Sequence, residues 1–142
     1  MSSRSVSLWL WLLLVAFVLR VLAQFLQWQI GVSFLPPFEA WQSGVLPYWA
    51  LLAAQFLLVL LLARIAWRFS VGSVVPSAHS ARLWLVPGSI YLATMLIRLG
   101  LGLTFFAGHY WFDRPLPSAF HIVLATFMIV AGLYHYLNSR EA

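Results

Sequence analysis

The sequence has no cysteine and no lysine, and only three of its residues are acidic. Without thiols, disulfide frameworks, thiolate metal centres and thiol nucleophiles are excluded. Charged residues make up 8% of the 142, whereas soluble globular domains carry about a quarter. A water-soluble fold is therefore ruled out. Nucleophilic triads, paired catalytic carboxylates, P-loops and dinucleotide fingerprints are also missing. The net charge of +5 comes from eight arginines scattered singly among apolar residues. No basic cluster or stripe exists for nucleic acid to bind.

What is present is hydrophobic length. Apolar residues make up 63% of the chain and the mean hydropathy is +0.93. About 20 apolar residues span roughly 30 Å of hydrocarbon, and four segments qualify, near 8–28, 46–67, 83–107 and 119–137. Hydrocarbon offers the backbone no hydrogen-bond partners, so these runs must be helices. The connections carry Pro36, Pro37 and Gly44, then Gly72 and Pro76, then Pro115 and Pro117, all loop signals. The expectation is an all-α, four-transmembrane-helix bundle forming one domain over 1–142. Arg4 before an apolar run imitates a signal peptide, but Arg20 interrupts that pattern, and the segment reads as a true span.

Arg4, Arg64, Arg68, Arg82 and Arg140 fall on one side of the four-span path, opposite Glu39, Asp113 and Arg114. The positive-inside rule then predicts both termini in the cytoplasm, as expected for a bacterial inner-membrane protein. Tryptophan agrees. Trp9, Trp11, Trp67 and Trp84 fall at the inner boundary, and Trp28, Trp41, Trp49 and Trp111 at the outer one, as aromatic belts require.

Two arginines sit inside spans. Arg20 and Arg98 lie about 13 Å in from the outer ends at 1.5 Å per residue, with Gln55 at similar depth. Arg20, Gln24 and Gln27 share one helical face. A charge at such depth costs about 2.5–3.5 kcal/mol on insertion scales and needs a partner, yet no span contains an Asp or Glu. Three readings follow: snorkelling toward Glu39 and Asp113, an acid from a partner subunit, or a pocket of Arg20, Gln24, Gln55 and Arg98 that binds a carboxylate, phosphate or lipid headgroup. Arginine suits such anions through its fork of donors.

On the fourth span His121, Ala125, Met128, Gly132 and His135 form one helical stripe. This spacing resembles the His-x13-His pattern on the haem-carrying helices of di-haem b-type cytochromes. The resemblance implies haem b ligated by His121 and His135, although no second span supplies a matching pair. The plainer reading is interfacial hydrogen bonding by the histidines, with Ala125 and Gly132 marking close helix packing. A third reading gathers His109, His121, Asp113 and Glu39 around a metal at the outer side. In the first outer loop, Pro36 to Gly44 predicts a one- to two-turn interfacial helix. Phe38 and Trp41 are expected to dip into lipid, and Glu39, Trp41 and Asp113 to form a lid over the polar layer.

The leading functional expectation is a non-catalytic membrane protein: an accessory or scaffolding subunit, or an anion or lipid binder using Arg20 and Arg98. Its expected partners are the bilayer and other membrane subunits or further copies of itself, with no nucleic acid. The alternatives are a b-type haem or quinone-linked electron-transfer subunit, and a small enzyme acting on a lipid through His109 or His121.

Overall fold

A computed structural model describes residues 1–42, 44–105 and 115–139. The described chain is helical: α1 (Ser3–Ile30), a 3₁₀ helix η1 (Phe38–Trp41), α2 (Tyr48–Ser70), α3 (Ala78–Leu103) and α4 (Pro115–Asn138). All four α-helices are long and apolar enough to cross a membrane, the property of an integral membrane protein.

Local chemistry sets the helix ends. The Ser2 hydroxyl accepts from the Ser5 N–H at the start of α1, and Gly31, at φ 60°, ends the helix in the left-handed region. Ser77 caps α3 by accepting from Ser80 N–H at 3.0 Å. That cap overrides the polar composition of residues 78–82, so α3 starts well before the residue 83 expected from hydropathy. Pro87 consequently lies in the interior of α3. The helix continues through it, and the proline's missing N–H leaves the Leu83 carbonyl without its usual donor.

The packing is asymmetric. α1 lies against both α2 and α4, whereas α3 packs on α4 alone among the described elements. Val6, Leu10, Leu14 and Phe17 recur at helical spacing on α1 and meet Leu62, Ala66 and Phe69 of α2 and Phe127, Ala131 and Tyr134 of α4. Small residues bring α3 and α4 together. A Cβ added at Gly132 would stand 2.8 Å from Leu85 Cγ and 3.0 Å from its backbone nitrogen. One added at Gly88 would stand 3.0 Å from Met128 Cβ. Such close backbone approach is how membrane helices gain van der Waals contact.

The end of the bundle bearing the chain termini is pinned by hydrogen bonds. Ser7 and Ser70 hydroxyls meet at 2.7 Å, and Trp11 Nε1 donates to Ser70 Oγ at 2.9 Å. The N-terminal amine donates to Asn138 Oδ1 at 3.1 Å. Ser77 N–H donates to His135 Nδ1 at 3.3 Å, beside the edge-on rings of Phe69 and Tyr134. At this end the buried polar groups find partners within the fold.

Candidate functional site

The opposite end, closed by η1, is different. Arg20 is 7% exposed, and its Nη2 donates to the Trp41 carbonyl. Its Nε and Nη1 have no partner among the described residues. Gln24, fully buried, satisfies neither amide atom among the described residues. Gln55 Oε1, Gln27 Oε1, Tyr48 Oη and Ser118 Oγ are likewise buried without partners among the described residues. All of these side chains lie in the η1 half. Buried polar atoms in native proteins are paired almost without exception, so this concentration needs a cause.

A cavity of about 180 Å³ opens among them, lined by Arg20 and Phe17 of α1, Gln55 of α2, Phe120 and His121 of α4, and Trp41. The Arg20 guanidinium carbon lies 5.7 Å from the centre of the Phe120 ring, a cation–π placement. The Tyr91 hydroxyl of α3 hydrogen-bonds His121 Nδ1, and Nε2 of the same ring has no hydrogen bond among the described residues. Polar groups from three helices, and Gln42 just after η1, therefore share a wall that is otherwise largely apolar. An enclosed cavity of roughly 150 Å³ accommodates benzene. The space at Arg20 is thus on the scale of a small head group.

Of the residues singled out in the sequence, Arg20 and Gln55 share this cavity wall. Gln24 is buried one turn further along α1 but does not line the cavity. Arg98, 5% exposed on α3, is also outside the wall. His135 is at the other end of α4, bonded to Ser77. His109 and Asp113 lie outside the described residues. Among the described residues no three metal-ligating side chains gather.

One expectation is corrected. Trp41 does not dip into lipid: it is 5% exposed, turned into the bundle, with Nε1 donating to the Pro36 carbonyl at 2.9 Å. Intramolecular acceptors and the cavity's apolar wall take the place of the headgroup region. Phe38 stacks edge-on against Tyr48, with ring centres 5.0 Å apart. Glu39 is exposed in η1. The Trp41 carbonyl, as the acceptor for Arg20, carries no residue-type signal in a sequence. The sequence groups His121 with His135 along α4, or with His109, Asp113 and Glu39 at the outer side, and gives no sign of its meeting with Arg20.

Comparison of the chain with protein-family models, with characterised proteins and with solved structures finds no match.

Proposed function

We propose that this protein is a non-catalytic integral membrane protein that binds an anionic head, of a lipid or a small solute, in the cavity at Arg20. The observation that carries this reading is a buried guanidinium with two of its three nitrogens unpartnered among the described residues, facing a cavity. No acidic residue occurs in any of the four helices to neutralise it. An isolated buried charge is costly unless paired, and an anion entering the cavity supplies the pair. Gln55 and His121 add hydrogen-bonding capacity from two further helices.

Orientation in the membrane belongs to the same reading. Arg4, Arg64, Arg68 and Arg82 all belong to the terminal end of the bundle, which the positive-inside rule assigns to the cytoplasm. The cavity then opens in the outer leaflet.

Thermal unfolding of the purified protein tests the binding. A ligand at about 100 times its Kd stabilises the folded state by roughly 2.7 kcal/mol. Anionic lipid is expected to raise the Tm of the wild type and leave that of Arg20→Leu unchanged. Equal shifts in both proteins, or none in the wild type, would remove the assignment.

A further inference from the structure

Arg20 lines the cavity, yet its two unpartnered nitrogens, Nε and Nη1, are themselves buried, and the side chain as a whole is 7% exposed. An anion reaches them only if a neighbouring element gives way. The helices α1, α2 and α4 share one core, in which Leu14 and Phe17 meet Leu62 and Phe127. Parting any two of them forfeits the van der Waals contact that holds membrane helices together. The remaining neighbour, η1, has no residue in that core.

The short helix is also built to move as a unit. Ala40 N–H donates to the Pro37 carbonyl and Trp41 Nε1 to the Pro36 carbonyl, both at 2.9 Å. Displacing η1 from the bundle breaks neither bond. Gly31 and Gly44 stand on either side of it at φ 60° and 76°. A Cβ at either would meet nothing within 4 Å, so backbone rotation there is unobstructed. The contacts that hold η1 down include the Trp41 side chain seated in the cavity wall and the edge of Phe38 against Tyr48. They also include the bond from Arg20 Nη2 to the Trp41 carbonyl. Segments with few buried contacts open at the lowest cost, and lids are drawn from them.

Resting on the anion-site reading above, we propose that η1 is a lid, closed in this structure, that governs access to Arg20. Trp41 is its plug. As η1 lifts, the indole leaves the cavity wall and the carbonyl leaves Nη2, and the guanidinium faces the opening. The anion enters past η1, not sideways between the helices.

A gate changes how fast a ligand comes and goes, by the same factor in both directions. Dihexanoyl phosphatidylglycerol, a short-chain anionic lipid, is passed over immobilised protein in detergent, and both rates are read by surface plasmon resonance. Phe38 packs on Tyr48 and does not line the cavity. Phe38→Ala should therefore raise association and dissociation together by about two- to tenfold, the scale of one aromatic contact. The converse variant holds η1 down. Phe38→Cys with Tyr48→Cys, joined by a short methanethiosulfonate crosslinker, should bind about tenfold or more slowly until dithiothreitol cleaves the link. Either variant decides the matter if the other fails to fold. Unchanged rates overturn the lid and leave the Arg20 site standing, with entry between helices. Faster dissociation alone in Phe38→Ala overturns it too, because η1 would then be part of the binding surface. No binding by the wild type, or binding that persists in Arg20→Leu, overturns the underlying reading instead.

Discussion

Arg20 donates to the main-chain carbonyl of Trp41, and this bond ties a guanidinium deep in α1 to the 3₁₀ helix that closes the same end of the bundle. A carbonyl accepts a hydrogen bond without neutralising a charge. Arg20 is therefore oriented by the fold, and its Nε and Nη1 have no hydrogen-bond partner among the described residues. The rest of the account follows from that separation of geometry from charge.

The first consequence concerns stability without ligand. Replacing a buried charge that has no ion-pair partner among the described residues by an apolar side chain removes a desolvation penalty. Arg20→Leu is expected to unfold at a higher temperature than the wild type in lipid-free detergent, by an amount on the order of 1–3 kcal/mol. Differential scanning fluorimetry measures it. A variant less stable than the wild type would mean that Arg20 is already compensated within the fold.

The α3–α4 contact makes a second expectation. At Gly132 an added Cβ meets the Leu85 backbone nitrogen at 3.0 Å as well as the leucine side chain. A rotamer change relieves only the second clash. Gly132→Ala should cost about 1–3 kcal/mol, seen as a lower midpoint in denaturant titration. Gly100, with nothing within 4 Å of an added Cβ, supplies the control, and Gly100→Ala should be neutral or slightly stabilising.

The absence of native cysteine allows orientation to be measured with single introduced thiols. Phe34, in the loop before η1, is highly exposed, and His79 is exposed near the start of α3. Phe34→Cys is expected to react with a membrane-impermeant maleimide from outside intact cells, and His79→Cys only after lysis. The reverse pattern would invert the proposed topology and place the cavity in the inner leaflet.

The hydrogen-bonded terminal end yields a fourth. Ser70 Oγ joins Ser7 Oγ and Trp11 Nε1 at 2.7 and 2.9 Å, so Ser70→Ala strands two polar groups at once. The expected cost is about 1–2 kcal/mol, read by denaturant midpoint, with anionic lipid binding unchanged because the cavity is at the other end.

These features were unevenly legible in the amino-acid sequence. The four helices were readable because hydrocarbon thickness demands a length that the composition meets. The start of α3 was not, since a single serine cap outweighed five residues of mixed polarity. Arg20 and Gln55 stood out because polar groups in apolar runs have few explanations. Their meeting with His121 did not, because helical periodicity gives the face a residue occupies and not the helix opposite it. Trp41 was read as an interfacial anchor from its residue type, whereas its position is set by the Pro36 carbonyl and the cavity wall. The isolation of α3 on the far side of α4 has no periodic signature either, because lipid-facing and helix-facing residues of a membrane span are both mainly apolar.

The most direct test is the intact mass of the protein released gently from native membranes, recorded beside Arg20→Leu. The account predicts that the wild type carries one anionic adduct and that the variant carries none. A wild type of bare polypeptide mass, or an adduct shared equally by both proteins, would contradict an anion held at Arg20.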